Sequence, residues 1–236
     1  MRTPSLARFG LLLVVLCGFS LCSQATEKLA PDFAGTHTYH DSSQALNSTA
    51  LVKGRVVFIG DLITEGWGRF NPTFLDNVTR INLGISGQTT TQMLLRFRQD
   101  VLNLSPEVVV ILAGTNDLAG NTGETTLTEI TDNIASMADL ATAHGSKVIL
   151  CQLTPADHYG WAPEVKPVAR MLELNAWIQS YAAHHGLTSV DLYRPMVIEE
   201  GRLNPRFSED GVHPNAQGYA LMTERLTHAL NDVLAH

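Results

Sequence analysis

Short apolar runs alternate with longer amphipathic stretches along most of the chain. The apolar runs are rich in Val, Ile and Leu and end at glycine or polar residues, which predicts buried β-strands. Apolar positions between and after these runs recur with the period of an α-helix. The predicted strands span residues 55–60, 80–84, 107–114, 147–153 and 188–192, and the predicted helices span 89–102, 127–144, 167–185 and 215–234.

Strands that are apolar throughout indicate a sheet that is covered on both faces. Strands that alternate with helices along the chain indicate parallel pairing through helical crossovers. The pattern therefore predicts an α/β fold with a parallel sheet. Ligands of such sheets bind beyond the carboxyl ends of the strands, so the residues that follow each strand are the first candidates for chemistry.

Residues 1–25 have the pattern of a cleaved secretory signal peptide. Arg2 and Arg8 lie before or at the start of an apolar run, and small residues precede a cleavage point after Ala25. A run of about 14 residues rises about 21 Å as a helix, which is short of the ~30 Å hydrocarbon core of a bilayer. We therefore expect export to the periplasm or the medium and no membrane span in the mature chain.

The remaining residues have no clear linker and are expected to form one domain. Residues 26–53 are polar and without a period, and we expect this segment to lead in along the outside of a domain that spans residues 54–236.

The composition excludes several classes of protein. Apolar residues make up 44% of the chain and charged residues 17%, which is enough apolar side chain for a core and excludes a disordered chain. The formal net charge of −7 argues against a nucleic-acid binder and against binding to an anionic membrane. Cys17 and Cys22 leave with the signal peptide, so only Cys151 remains and no intramolecular disulfide is expected.

Four blocks of residues carry candidate chemistry. They read Gly-Asp-Leu-Ile-Thr-Glu-Gly-Trp at 60–67, Asn-Leu-Gly-Ile-Ser-Gly at 82–87, Gly-Thr-Asn-Asp at 114–117 and Asp-Gly-Val-His-Pro-Asn at 210–215. The first three follow predicted strands and the fourth precedes the last helix. Because the carboxyl ends of parallel strands meet at one edge of the sheet, all four blocks are expected to converge there.

These blocks, in this order, resemble those of the SGNH or GDSL family of serine ester hydrolases. The resemblance covers residues 55–234 and is strongest to secreted members similar to platelet-activating-factor acetylhydrolase and lysophospholipase. It implies a three-layer α/β/α fold with a flavodoxin-like five-stranded parallel sheet. It also implies hydrolysis of small carboxylic esters, such as short acyl esters, lysophospholipids or acetylated sugars, with no metal or organic cofactor.

The resemblance assigns a role to each block. His213 resembles the general base, and Asp210 resembles the carboxylate that orients it. Gly84 and the residue at position 62 would each donate a backbone N–H to the oxyanion, and Asn116 would donate its side-chain amide. The nucleophile of the family is the serine of Gly-Asp-Ser-Ile-Thr, and Leu62 stands at that position in this chain.

Leucine has no nucleophilic atom, so we expect the implied esterase activity to be severely impaired. Thr64 and Ser86 carry nearby hydroxyl groups, but Thr64 is expected to point away from His213, and Ser86 lies in a loop that supplies backbone donors in the family. Direct activation of water by His213 is another route. The alternative from a different class is a protein that keeps the cleft and binds acyl esters or glycans without turnover.

Two further groups of residues each allow a functional and a purely structural interpretation. Trp67, Tyr159 and Trp161 would either line an acyl or sugar pocket or only pack. His37 and His40 lie in the polar segment, where solvated histidines are commoner than a metal site. The acyl chain, the alcohol and the oligomeric state stay open.

Overall fold

The computed structural model describes residues 32–47, 52–75 and 78–235. Five strands form one sheet in the order β2-β1-β3-β4-β5, and each neighbouring pair is parallel. The predicted α/β fold with a five-stranded parallel sheet is therefore confirmed. The strands are β1 (Val56–Gly60), β2 (Arg80–Gly84), β3 (Val108–Leu112), β4 (Lys147–Cys151) and β5 (Thr188–Val190).

Helices flank this sheet, and the four long ones lie close to their predicted bounds. Helix α4 packs beside α6 and α6 packs beside α7, whereas α8 contacts α3 and β5. The short helices α1, α2, α3 and α5 were not anticipated from the periodicity. The helices are α1 (His40–Asn47), α2 (Leu62–Glu65), α3 (Trp67–Phe70), α4 (Thr90–Asp100), α5 (Thr115–Leu118), α6 (Leu127–Ala143), α7 (Val168–His184) and α8 (Ala216–Ala235), with 3₁₀ turns at Leu102–Leu104 and Glu199–Gly201.

Strands β1 and β3 occupy the centre of the sheet and are buried at every position. Their continuous apolar sequence is explained by this placement, because helices cover both faces of a parallel sheet and no side of the strand meets water. Helices α6, α7 and α8 turn their apolar faces onto the same core, with Ile134, Ile178 and Leu226 among the buried side chains.

The carboxyl ends of the three neighbouring strands lie in register. Gly60 at the end of β1 pairs with Gly84 of β2 on one side and with Leu112 of β3 on the other. A Cβ atom at Gly60 would lie 2.0 Å from the Thr64 hydroxyl and 2.6 Å from the carbonyl oxygen of Leu112, so only glycine fits. This close approach lets α2 begin directly over the sheet edge.

The N-terminal polar segment is attached to the same edge of the sheet. The Tyr39 hydroxyl donates to the carbonyl oxygen of Gly84 at 2.5 Å, and the Gln88 side chain donates to the carbonyl oxygen of Ala34 at 2.6 Å. From Asp32 onwards the chain forms one compact unit. The predicted signal peptide, residues 1–25, lies outside the described residues. None of the helices described here has the length and apolarity needed to cross a membrane.

The packing of α8 gives a stability prediction. Leu226 on α8 is fully buried, whereas Leu95 on α4 is 60% exposed. We expect Leu226→Ala to lower the free energy of unfolding by about 2–5 kcal/mol, because it removes buried methyl groups and leaves a cavity. The matched change Leu95→Ala should alter it by less than about 0.5 kcal/mol. Urea unfolding followed by circular dichroism measures both, and equal losses would contradict the placement of α8.

Candidate active site

The residue at position 62 lies at the start of α2, directly beyond the end of β1. The Asp61 side chain caps this helix by accepting a hydrogen bond from the amide of Ile63 at 2.9 Å. Because α2 begins at the sheet edge, the Leu62 side chain turns outward and is 37% exposed. Leu62 and His213 both line two adjoining cavities at this edge.

Asp210 and His213 form a close pair in the loop before α8. The His213 ring nitrogen Nδ1 lies 2.6 Å from Asp210 Oδ2. The other carboxylate oxygen accepts from the amides of Val212 and His213 at 2.9 and 2.8 Å, so the loop itself fixes the carboxylate. Burial alone would raise the pKa of Asp210, but the bonds from the His213 ring and from these amides outweigh it and hold the pKa well below its usual range. Asp210 is therefore ionised and able to orient the imidazole.

Asn116 lies in α5, beyond the end of β3, and is held on three sides. Its amide nitrogen donates to Asp61 Oδ2 at 3.0 Å and to the carbonyl oxygen of Gln88 at 3.1 Å. Its amide oxygen accepts from the side chain of Asn121 at 2.8 Å. Both partners of the nitrogen are hydrogen-bond acceptors, which distinguishes the amide nitrogen of Asn116 from its amide oxygen. The side chain lines the smaller cavity together with His213.

Asp61 is a buried carboxylate that joins these parts. One oxygen caps α2 and the other accepts from Asn116. Burial raises the pKa of Asp61 to about 6, although the bond from the Ile63 amide and the attraction of His213 act to lower it. Below about pH 6 this group is therefore protonated in the folded protein.

Gly84 lines neither of the two cavities that contain His213, and its role as an oxyanion donor stays a prediction. Its N–H donates to the side chain of Asn82 at 2.9 Å, and a Cβ at Gly84 would lie 2.2 Å from the backbone nitrogen of Glu65. Gly84 is therefore required for close packing of β2 against α2. Gly87, with a φ of +76°, lines the smaller cavity instead. Gly84 is the last residue of β2 and Gly87 lies three residues beyond it, and the sequence pattern did not separate the two glycines.

Trp161 and Asn121 complete the smaller cavity. The indole Nε1 of Trp161 donates to Asn121 Oδ1 at 2.9 Å, and the indole stacks on the His213 ring with 5.7 Å between centroids. Asn121 also donates to the carbonyl oxygen of Gly87 at 3.1 Å. Trp161 was a candidate pocket residue in the sequence, whereas Asn121 was not identified there. The only signal was its place in a Gly-Asn-Thr-Gly turn after the Gly-Thr-Asn-Asp block.

The two cavities differ in size and lining. The smaller has a volume of about 180 Å³ and is lined by the polar groups described above, with Ser86 and Thr115. The larger is a groove of about 440 Å³ on the other side of Leu62, lined by Arg69, Phe70, Glu209 and Tyr219 among others. Trp67 belongs to neither, because it is buried against Phe58, Phe74 and Tyr219.

The family of the chain follows from a comparison with known sequences. The sequence model of the GDSL-like Lipase/Acylhydrolase family matches residues 58–221. The chain belongs to this family. The resemblance seen in the four sequence blocks is thereby confirmed.

Two solved structures of GDSL-type fold are similar to this chain over most of its length. A GDSL-like lipase from Bacteroides thetaiotaomicron is 45% identical, with a TM-score of 0.82 over 85% of this chain and 98% of that one. A protein from Bacteroides fragilis is 41% identical, with a TM-score of 0.83 over 87% of this chain and 100% of that one. These structures share both the fold and a substantial part of the sequence.

Curated relatives are more distant. The arylesterase of Vibrio mimicus is 27% identical over 78% of this chain and 92% of its own length. The chain spans only 43% of the acetylxylan esterase of Xylanibacter ruminicola, to which it is 26% identical. It spans 34% of the uncharacterized lipoprotein YqeF of Bacillus subtilis, at 37% identity over 82 residues.

Two hydroxyl groups lie near position 62 of this GDSL-family chain. Thr64 is buried, and its hydroxyl oxygen sits against Gly60, with no hydrogen-bond partner within the described part of the chain. It lines neither of the two cavities that contain His213. Ser86 does line the smaller cavity, beside Gly87, and its amide donates to the carboxylate of Glu65 at 2.9 Å.

Histidines of the polar segment lie apart from these cavities. His37 is exposed, and His40 begins α1. Over residues 32–47, 52–75 and 78–235, no group of three or more His, Cys, Asp or Glu side chains is arranged to hold a metal ion.

The buried Asp61 predicts a pH-dependent stability. Its pKa is about 6 in the folded protein against 3.8 for an ordinary aspartate, so the folded state binds more protons between these pH values. The free energy of unfolding should therefore fall as the pH rises through this window. Asparagine does not titrate, so Asp61→Asn should gain stability relative to the parent from pH 4 to pH 6, by on the order of 2–3 kcal/mol. Urea unfolding at stepped pH measures the difference, and a constant difference would contradict it.

Proposed function

We propose that this chain is an exported carboxylic ester hydrolase of the GDSL type whose turnover is severely limited by Leu62. The observation that carries the proposal is the shared cleft of Leu62 and His213. The histidine is paired with an ionised Asp210 at 2.6 Å, and an exposed leucine side chain stands where the family has its nucleophile. These contacts support His213 as the base and Asp210 as its orienting acid, whereas the attacking hydroxyl is absent.

The chemistry of an intact site explains what each group would do. A serine hydroxyl at position 62 would give its proton to His213 while its oxygen attacks the ester carbonyl carbon. The resulting imidazolium is stabilised by Asp210. His213 then returns the proton to the departing alcohol oxygen, and water releases the acyl group by the same route. These steps need no metal or organic cofactor.

The oxyanion that forms in this reaction needs positioned donors. We assign them to the backbone amide of position 62, the backbone amide of Gly87 and the side-chain nitrogen of Asn116. Gly87 and Asn116 line the smaller cavity with His213, which supports this assignment over one that uses Gly84. Asn116 would have to give up one of its two bonds, to Asp61 or to Gln88, in order to bind the oxyanion.

The substrate class is a small carboxylic ester, either a short acyl ester, a lysophospholipid or an acetylated sugar. The names of the curated relatives, an arylesterase and an acetylxylan esterase, support esters of this kind. The groove of about 440 Å³ beside Leu62 is large enough for an alcohol of the size of a sugar unit.

The second candidate function is binding of an acyl ester or glycan without turnover. Leu62 is the observation that favours it, because a leucine cannot attack and also occupies space near the acyl carbon. Retention of Asp210, His213 and Asn116 in one cleft favours the hydrolase.

Export is the remaining part of the proposal. The basic start, the apolar run and the small residues before Ala25 support a cleaved signal peptide. One curated relative carries the description lipoprotein, which is consistent with a location outside the cytoplasm for related proteins.

Restoring the hydroxyl tests the proposed chemistry. The parent protein should hydrolyse p-nitrophenyl acetate only feebly. We expect Leu62→Ser to raise kcat/KM by at least about 10³, which is well below the ~10⁶ that loss of a serine nucleophile can cost. The side chain at position 62 faces the cleft, so the change should leave thermal stability nearly unaffected. Ester hydrolysis is followed by the release of p-nitrophenol.

Two control variants separate the outcomes. Adding His213→Ala to Leu62→Ser should abolish the gain, because serine is a poor nucleophile without a base. Ser86→Ala in the parent should leave its feeble activity unchanged. Strong activity in the parent that Ser86→Ala removes would identify another nucleophile. A folded Leu62→Ser protein without any gain would favour the binding function.

Cleavage of the signal peptide is tested by mass. When the full chain is produced in a bacterial host, the exported protein should begin at Thr26. Intact mass spectrometry of the periplasmic or secreted protein measures this. A retained N-terminus, or a lipid-modified mass that begins at Cys17 or Cys22, would contradict it.

A further inference from the structure

The side chain of Trp161 lines the smaller cavity beside Leu62. The same cavity contains Gly87 and Asn116, to which the oxyanion is assigned, and His213. The Trp161 side chain is 46% exposed, so one part of the indole faces solvent while another part forms a wall of the cavity. Its position therefore decides how far a bound acyl group can extend.

Three contacts fix this wall. The indole nitrogen donates to Asn121 Oδ1 at 2.9 Å. The indole stacks on the fully buried ring of Tyr159 at 5.1 Å and on the His213 ring at 5.7 Å, with interplanar angles of 29° and 28°. Swinging the indole outward would break a hydrogen bond and two ring contacts at once. Trp161 is therefore a fixed boundary of the cavity.

The positions of the acyl and alcohol groups of the ester follow from the assigned oxyanion donors and from His213. The carbonyl oxygen of the ester must reach Gly87 and Asn116, which places the carbonyl at the smaller cavity. The departing alcohol oxygen must stay near His213, and the groove of about 440 Å³ on the other side of Leu62 has the room for the alcohol. The acyl group is left with the smaller cavity of about 180 Å³.

We infer that Trp161 is a specificity-determining residue that restricts this site to short acyl groups, of about the size of acetyl to butyryl. The inference rests on the proposed function. The cavity has a volume of about 180 Å³, and the indole occupies space beside the assigned donors into which a longer acyl chain would extend. An acyl chain as long as octanoyl would therefore meet the indole.

A series of p-nitrophenyl esters tests this in the Leu62→Ser protein. We expect kcat/KM to be at least about tenfold higher for the acetate than for the octanoate. Trp161→Ala should reduce this ratio by at least about tenfold, mainly through a lower KM for the octanoate. Trp161→Phe keeps a ring against Tyr159 and His213 and should retain the preference for the acetate. An unchanged ratio in Trp161→Ala would overturn the inference.

Two further variants keep the test decisive. Trp177 on α7 is half-buried, stacks on Tyr181 and lines neither cavity, so Trp177→Ala should leave the chain-length ratio unchanged. If Trp161→Ala fails to fold by circular dichroism, Trp161→Leu must show the same loss of preference. A chain-length ratio that falls equally in Trp177→Ala would overturn the inference, because the effect would then be a general loosening of the fold.

A binding measurement distinguishes failure of the inference about Trp161 from failure of the proposed hydrolase function. Acetamide and octanamide are unreactive probes for the Leu62 protein as it exists, and ligand-observed NMR measures their binding. Octanamide should bind at least about tenfold more tightly to Trp161→Ala than to the parent, while acetamide should bind both alike. Equal octanamide binding would overturn the inference even if Leu62→Ser is active. A gain in octanamide binding would support it even if Leu62→Ser is inactive.

Discussion

The geometry of the cleft depends on the buried carboxylate of Asp61. It lies at the end of β1, where Gly60 lets the chain turn directly into α2, and its two oxygens serve two different elements. One oxygen holds the first turn of α2, and the other holds Asn116 beyond β3. A buried carboxylate without such bonds would cost several kcal/mol, so the two elements are tied to it and to each other. Neither bond involves the side chain at position 62.

This arrangement explains how the site keeps its form with leucine at position 62. The Leu62 side chain projects into the cleft and is not part of the core, so its size is accommodated by space that a ligand would otherwise use. The two N–H groups of the Asn116 side chain already donate hydrogen bonds within the protein, to Asp61 and to the carbonyl oxygen of Gln88. A substrate carbonyl must therefore compete with a buried acceptor for Asn116. In a low-dielectric site this exchange is favourable only when the oxygen carries developing negative charge, as in the transition state of acyl transfer.

Much of this architecture could be predicted, because many of its contacts lie within one strand or one loop. The strands could be predicted because central parallel strands are apolar at every position, as in Val108–Leu112. The pairing of Asp210 with His213 was implied by the family resemblance. The structure brings the two side chains together in a tight loop, whose amides complete the carboxylate's bonds. The hydrogen bond from the Gly84 N–H to the Asn82 side chain could not be anticipated, because it depends on the conformation of that side chain. The bond between Asn121 and Trp161 joins loops after two different strands, and nothing in either loop specifies its partner.

The N-terminal segment is where sequence composition was least informative. Residues 33–39 carry no apolar period, yet their carbonyl groups need donors where they pack against the domain. Glutamine side chains supply them: Gln88, Gln92 and Gln99 each donate to a carbonyl of this segment at 2.6 Å. Gln88 also accepts from Arg96 at 2.7 Å, and its backbone carbonyl accepts from Asn116. The loop that carries Gly87 is thus held from outside by residues that precede the family match at 58–221, so the donor geometry of the cleft depends on a segment outside the matched region.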